Sequence, residues 1–457
     1  MRLRFGRALF GDKAIGSMRG IAKWFGLRTA ATAENELFFG DVGVAVSVDE
    51  RDGARYEVRP ALANFDRDIL HDAQGVRRLY GALRFSEMER LNIPVMKPQL
   101  PTVDRLVPYL ERVDASRYYS NHGQLVQEFE TRLAAHFGLT PTQTMTAANG
   151  TTALSAALLA VGASPGKKCL VPSWTFVASA AAIWAANLRP HFVDVSPHTW
   201  MLEPEALLQR IDLADVAVVM PVSAFGAPVS TAAWDAFSER TGIPIVIDAA
   251  ASFDTVASVP HSAPGKSPMM VSFHATKVFG IGEGAAILST DDELVTRARQ
   301  ICNFGVWGPP AGQVLGYNGK LSEYHAAVGL AALDDWPTRR AAIANLTRVY
   351  REELARMQGV ETLPGYGEGW VSCYSNVRAH APVDQIISRL KASGIETRRW
   401  WQRGVHEQPA YAAFSTDTLL VTERLGASVF GLPFYHDLSE EEVAQVLEAL
   451  RSALSLP

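Results

Sequence analysis

The stretch Ser272-Phe273-His274-Ala275-Thr276-Lys277 places a lysine just beyond an apolar run, and Gly280, Gly282, Glu283 and Gly284 follow it. A lysine in such a turn is partly desolvated, which is expected to lower its pKa and yield the neutral amine that forms a Schiff base with a carbonyl. Asp248 closes another apolar run, Ile243–Ile247. A carboxylate at a buried strand end is costly unless solvated or paired with a cation or proton donor. A protonated heterocyclic nitrogen is one such partner, and a capping role on the next helix is the competing explanation. Asn149-Gly150-Thr151-Thr152-Ala153-Leu154 carries a loop into a helix, where free N–H groups and hydroxyls favour phosphate. An ordinary N-cap would have the same composition. Pro172-Ser173-Trp174-Thr175-Phe176 offers aromatic rings that could stack on a flat heterocycle or simply fill a core.

The elements around these stretches decide whether they meet. Between Ile93 and Trp336, apolar runs without alternation recur at Cys169–Pro172, His191–Val195, Val216–Val222, Ile243–Ile247 and Met269–Phe273. Such runs are strands buried on both faces of a mainly parallel sheet. The intervening helical patterns over 151–161, 175–187, 230–241 and 291–301 predict helices on both faces, and Ala285–Ser289 predicts a further strand. Helical spacing through Leu125, Phe129, Leu133 and Phe137 ends at Gly138. From Pro337 a helical stretch, Arg339 to Met357, opens a smaller α+β domain that closes on a helix starting with the capping box Ser439–Glu442. The expected organisation is thus α/β, with a large domain over 93–336 and a small domain over 337–457. Residues 1–92 form an extension in which Val42, Val44, Val46 and Val48, a turn at 49–53, and Tyr56 and Val58 predict a hairpin. Helical sequence is expected from there to Asn92. No chemistry is visible in this extension; it reads as a solvated or dimer-packing arm, with a membrane-surface role for the first 28 residues as the alternative. In an α/β sheet, the loops carrying the chemistry gather at the carboxyl ends of the strands.

The chain has 457 residues, 48% of them hydrophobic and 20% charged, with formal net charge -5. That composition suits a globular protein with buried sheets and supplies no basic field for nucleic acid or an anionic membrane. Cys169, Cys302 and Cys373 show no metal-ligand spacing and read as thiols of a reduced compartment. The basic N-terminus is broken by Asp12 and Lys13, so no signal peptide is expected. The apolar segments 169–187 and 213–229 contain proline and read as strand and turn, not as membrane spans. The expectation is a cytoplasmic protein without a transmembrane segment or a metal. Gly280, Gly282 and Gly284 follow a late strand, which argues against a nicotinamide-binding motif.

In combination these motifs resemble the DegT/StrS family of sugar aminotransferases, of the aspartate-aminotransferase-like fold type. The resemblance runs from about Ile93 to Leu454. It rests on Tyr119-Ser120-Asn121-His122-Gly123, Asn149-Gly150-Thr151, Asp248-Ala249-Ala250, Ser272 through Lys277, Gly282-Glu283-Gly284 and Gly316-Tyr317-Asn318-Gly319-Lys320. It implies a seven-stranded-type large-domain sheet and pyridoxal 5'-phosphate as cofactor. Lys277 would carry it as a Schiff base, Asp248 would keep the ring nitrogen protonated, and Phe176 would stack on the ring. Gly150, Thr151, Thr152 and Ser272 would bind the phosphate, with Asn318 reaching the phosphate of a neighbouring subunit in a homodimer with shared active sites. The implied reaction moves an amino group from an amino acid such as glutamate to a keto sugar, attached to a nucleotide, in amino-sugar, polysaccharide or secondary-metabolite biosynthesis.

The sequence departs from the family pattern at several positions. Ala251 stands where the family carries His or Gln against the ring hydroxyl, Ser223 where a His is common, and Ala285 where a glycine is usual. The segment Arg399-Trp400-Trp401-Gln402-Arg403-Gly404-Val405-His406 is also altered, and Arg398, Arg399 and His406 are its candidates for substrate contact. A pyridoxamine-dependent sugar dehydratase, in which His replaces the lysine, and a cofactor-binding regulator or sensor without turnover are the alternatives. Lys277 argues against the first, and the intact pair of Lys277 and Asp248 against the second.

Overall fold

The structure is a computed structural model that describes residues 93–210, 213–308 and 312–455, together with the backbone of the strands before residue 61. The chain divides into two compact units, residues 1–92 and 93–457. In the first, β1 (Arg2–Arg4), β2 (Thr29–Ala33), β3 (Glu36–Phe39), β4 (Val44–Asp49) and β5 (Arg55–Pro60) form an antiparallel sheet in the order β1-β5-β4-β3-β2. The expected hairpin is its β4–β5 pair, with Val48 opposite Tyr56 and Val46 opposite Val58. Val42, the turn at 50–53 and the helical sequence expected up to Asn92 lie outside the described residues.

The second unit begins with helices α1 (Val103–Ser116) and α2 (Gln124–His136), then β6 (Thr144–Ala147) and α3 (Gly150–Ala160). There follow β7 (Lys168–Pro172), α4 (Val177–Ala185), β8 (Arg189–Val193), β9 (Val216–Val219), α5 (Thr231–Thr241) and β10 (Ile247–Asp248). Helix α6 (Phe253–Ser258), β11 (Met269–Ser272), β12 (Ala285–Leu288) and α7 (Asp292–Cys302) complete the alternation. β7 pairs in parallel with β8 and β9, and β10 with β11. Parallel bridges Val219–Ile245 and Val222–Asp248 join the two groups, so the order is β8-β7-β9-β10-β11-β12-β6. Only β12 is reversed, antiparallel to both β11 and β6. The doubly buried, mainly parallel sheet is therefore as the apolar runs indicate. Alternate residues of one strand enter different cores. Leu170, Met269, Val271 and Leu288 pack in one, while Cys169, Val171, Met270 and Ile287 pack in the other. A strand read this way has no polar face, hence no visible period of two.

Two helices differ from what the sequence pattern predicts. Val103–Ser116, with Pro108 inside it, is a helix that the sequence reading did not anticipate. The helix expected from Arg339 begins at Glu323: α8 (Glu323–Leu354) is continuous through Pro337, with Ser322 capping it through the His325 N–H. Proline removes one helical hydrogen bond, but Ala327, Leu330, Trp336, Ile343 and Tyr350 are buried along its length, so tertiary packing carries the helix through. The sequence boundary at 336/337 thus falls inside one helix. Beyond it, β13 (Val360–Thr362), β14 (Ser375–Ala379) and β15 (Val429–Leu432) form an antiparallel sheet in that order. Helices α9 (Val383–Ala392), α10 (Leu420–Ser428) and α11 (Glu440–Ser455) accompany it. The expected capping box of α11 is present: the Glu442 N–H donates to Ser439 Oγ at 3.1 Å, and the Ser439 N–H to Glu442 Oε2 at 2.8 Å. The strap Ile93–Val95 is tied to this part of the chain by Ile93 N–H to Gly394 O and Phe434 N–H to Val95 O.

Two buried carboxylates fix α2, the helix that follows the Tyr119–Gly123 motif. Glu323 accepts the N–H groups of Leu125 and Val126 at 2.8 and 3.3 Å, a carboxylate at a helix N-terminus. Gly123 is required there, because a Cβ would lie 2.7 Å from Glu323 Cδ. Glu130 accepts the Thr146 N–H at 2.7 Å and pairs with Arg299 at 2.8 Å and His122 at 2.8 Å, linking α2, β6 and α7. Burial works to raise its pKa, but Arg299 and His122 outweigh burial and hold it below the ordinary 4.5. A depressed carboxylate stabilises fully above its unfolded pKa and loses that contribution as pH falls through the folded value. Glu130→Gln leaves Arg299 buried without its counter-ion and is expected to cost about 3–5 kcal/mol. Urea unfolding at neutral pH will show this loss, and the gap between variant and parent will narrow in acid.

Candidate active site

Lys277 is placed by a turn whose backbone is closed on itself. Phe273 and Ala275 donate to the carbonyls of Gly284 and Gly282 at 2.8 Å, and the Lys277 N–H donates to His274 O at 2.8 Å. Gly282 has φ +100°, and a Cβ on Gly280 would approach Ala275 O to 2.7 Å, so both glycines are demanded by the turn. The buried rings of Phe273 and Phe279 anchor it, with centroids 5.4 Å apart. Lys277 Nζ donates to Tyr374 Oη at 3.2 Å. Burial opposes the charge on Lys277, but Tyr374, Cys373 and Asp248 favour it and hold the pKa above its ordinary value. The depressed lysine expected from desolvation is therefore corrected: among these residues the polar partners outweigh burial.

Asp248 ends β10 and is 5% exposed. Ser179 Oγ, from α4, donates to Oδ2 at 2.7 Å, and the Ala250 N–H donates to Oδ1 at 3.1 Å. Thr175 and Ser179 share a hydrogen bond of 2.8 Å. Burial pushes the Asp248 pKa up, against the opposing effects of Ser179, Ala250 and Lys277. A carboxylate so placed is completed by a proton-bearing cation beside it.

Gly150, Thr151 and Thr152 form the first turn of α3, with Asn149 Oδ1 accepting the Thr152 N–H at 2.9 Å. A Cβ on Gly150 would lie 3.4 Å from Ser272 Cβ, so the helix N-terminus and Ser272 adjoin. Asn149 caps the helix, and the hydroxyls and leading N–H groups of its first turn could also take an anion. Phe176 precedes α4 and is 58% exposed, an uncovered ring at the end of β7.

Aromatic side chains form a wall that the sequence reading did not assign. The Phe225 ring stacks on Trp401 at 3.8 Å and meets Tyr374 at 5.4 Å, and Tyr374 meets Trp400 at 5.0 Å. Phe225 is held at φ +53°, rare for a side-chain-bearing residue, by Ser372 Oγ donating to its carbonyl at 2.6 Å. Ser223 donates to Ala227 O at 2.5 Å and pairs with Ser252 at 2.6 Å, which occupies it with the same turn. Ala251 is buried there, its carbonyl 2.7 Å from where a Cβ of Gly226 would stand.

The altered segment is divided between different surroundings. The Ser173 hydroxyl pairs with His406 Nδ1 at 2.7 Å, which brings His406 to the end of β7. Arg398 lies over the Trp400 ring at 5.1 Å. Arg399 donates to Asp384 Oδ1 at 2.9 Å, a surface ion pair with α9. Asn318 is exposed and accepts from Lys320 Nζ at 2.8 Å, while the neighbouring Gly319 packs against Thr152.

The sequence profile of the DegT/DnrJ/EryC1/StrS aminotransferase family matches residues 103–451. The chain belongs to that family. Its resemblance to GDP-perosamine synthase of Caulobacter vibrioides is 29% identity, covering 79% of this chain and 98% of the relative. To dTDP-4-amino-4,6-dideoxy-D-glucose transaminase of Shigella dysenteriae it is 28%, covering 78% and 98%. Among solved structures, DesI determined with its TDP-sugar product superimposes with TM-score 0.72 and 29% identity, covering 79% of this chain and 93% of that one. Aminotransferases of this family depend on pyridoxal phosphate. The donors described above fit that cofactor: a lysine amine, a buried carboxylate needing a cation, an exposed ring and an anion cradle along one edge of the sheet.

Tyr374 and Ser179 belong to no glycine-rich or strand-end motif, and Phe225 is marked in the sequence only by its place before Gly226. Ser179 is visible only as a polar residue inside the apolar helix α4. Tyr374 Oη accepts the hydrogen bond from Lys277, which favours the ammonium form. Tyr374→Phe is expected to lower the Lys277 pKa. Acylation of Lys277 in the protein stripped of cofactor, followed against pH, will therefore begin at lower pH in the variant.

Proposed function

We propose that this family member transfers the amino group of an amino acid, glutamate as the first choice, to a keto sugar linked to a nucleotide. The observation that carries this reading is the buried, cation-seeking Asp248 carboxylate at the same sheet edge as Lys277. Pyridoxal 5'-phosphate, when bound, supplies the carbonyl that accepts the amine and an electron-withdrawing ring. Lys277 would hold it, Asp248 would keep its ring nitrogen protonated, with Ser179 and the Ala250 N–H fixing the carboxylate, and Phe176 would cover one face. Gly150, Thr151, Thr152 and Ser272 would bind its phosphate. Once free, Lys277 moves a proton at the carbon that bears the donor's amine, and the Tyr374 hydroxyl orients that side chain. The Phe225–Trp401–Tyr374 wall would exclude water from the reacting carbon. His406, oriented by Ser173, and Arg398, stacked on Trp400, are the substrate-facing candidates retained; Arg399, engaged with Asp384, is not.

The nucleotide-sugar assignment is supported by the relatives named above, a GDP-perosamine synthase and a dTDP-4-amino-4,6-dideoxy-D-glucose transaminase. A homodimer is supported by the exposed apolar groups near Asn318: Phe304 and Leu315 are 59% and 96% exposed, and Tyr119 stacks on exposed Tyr324 at 6.1 Å. Asn318 would reach across that face to a neighbouring subunit's phosphate. Among the described residues no helix is long and apolar enough to cross a membrane.

The absorption spectrum of the purified protein tests the reading. A near-visible band that is lost on adding glutamate, returns with a keto-sugar acceptor and is absent in Lys277→Ala is the expected result. Turnover that survives in Lys277→Ala would overturn it.

A further inference from the structure

A cavity of about 30 Å³ opens beside the Lys277 turn, between the strap at Met96–Pro98, helix α8 and the segment Phe434–His436. Arg339, on α8, lines it. Arg339 and Arg340 are neighbours in sequence with different surroundings. Arg340 donates to the buried Asp254 at 2.5 and 3.2 Å. Arg339 makes no hydrogen bond or ion pair with the described residues, and its Nε is buried without a partner.

The other charged groups around the cavity are already matched. Lys97 pairs with Asp437 at 2.7 Å, and Asp335 pairs with Arg105 at 2.7 Å. Burial and the nearby Arg339 hold the His436 pKa below its ordinary value, so it is neutral at pH 7. Cys373 also lines the cavity, and burial pushes its thiol pKa up. The cavity thus presents Arg339 and Lys277 without a resident anion among the described residues. A guanidinium whose Nε is buried without a partner is costly, and an anion offering two oxygens to its fork removes that cost. The space suits a small polar group: a water needs roughly 10–15 Å³ by the same measure, so a carboxylate head fits.

We propose that this cavity receives the carboxylate of the amino donor, with Arg339 as its binding residue. An α-amino acid carries its carboxylate on the carbon that bears the amine, so a carboxylate held at Arg339 delivers that amine toward Lys277. The assignment rests on the transaminase reading above for its substrate, and on the unpaired guanidinium for its place. It separates the two substrates: the amino acid is recognised from the strap and α8, and the sugar from the side of Trp400, Trp401 and His406.

Calorimetric titration of the full-length protein with glutarate, a carboxylate ligand that has no amine, reads the site directly. Wild type binds it, and Arg339→Gln weakens binding by roughly tenfold to a hundredfold, the worth of one charged hydrogen-bonded contact. Arg339→Lys, which keeps the charge and loses the planar fork, falls between. In the absorbance assay Arg339→Gln raises the half-saturating glutamate concentration by a similar factor. Its reaction with ethylamine, which carries no carboxylate, matches wild type. Equal losses with both amines would mark Arg339 as structural and overturn the assignment. So would unchanged glutarate affinity in Arg339→Gln, or binding of inorganic phosphate in preference to glutarate with glutamate kinetics intact. A wild-type protein that reacts with neither amine would count against the transaminase reading alone, and the glutarate titration would still decide the site.

Discussion

The Asp248 carboxylate is the interaction on which the rest of the site depends. Strand β10 ends at a depth where a charge is poorly solvated, and the chain partly compensates with a hydroxyl from α4 and a backbone N–H from the following turn. Those contacts orient the carboxylate without neutralising it. Lys277 contributes from the other side but hydrogen-bonds Tyr374 instead. The unmet requirement for a cation is therefore built into the fold, and the sheet order places that requirement where the turn of Lys277 and the first turn of α3 converge. Burial costs stability at such a position, which is the usual trade where a protein keeps a binding partner's place.

Electrostatics at Lys277 show why local composition was a poor guide to its proton affinity. Desolvation alone would depress it, and the glycine-rich turn suggested desolvation. The deciding groups, Tyr374 and Cys373, come from the entry to β14, about a hundred residues further along, a distance that no spacing rule spans. The same remoteness hid the Ser173–His406 pair and the aromatic wall. In each case one partner lies in the large sheet and the other in the C-terminal part.

Much else was legible. Apolar runs gave the strands because both faces of the sheet are buried, and helical patterns over α3, α4, α5 and α7 gave the layers. The cap at Asn149 and the box at Ser439 were visible as local hydrogen-bond chemistry. β6 was not: Thr144–Ala147 is short, half threonine in composition, and becomes a strand because β12 offers it an antiparallel edge. The start of α8 was lost at Pro337, where a local rule about helix interiors gave way to packing along thirty-two residues. Site residues in motifs were recoverable, and residues that act on those motifs from elsewhere were not.

That long helix has a mechanical consequence. Its early turns are pressed against α2, where Gly329 has no Cβ because the Phe129 ring occupies the space, 2.5 Å from where one would stand. Its later turns carry Tyr350, whose hydroxyl donates to Pro433 O at 2.7 Å beside β15. A single rod is thus gripped by the sheet-bearing part at one end and by the C-terminal part at the other. Bending it at the point where the sequence changes character would break both grips at once. The rod thus sets the span between the two parts of the chain that it joins.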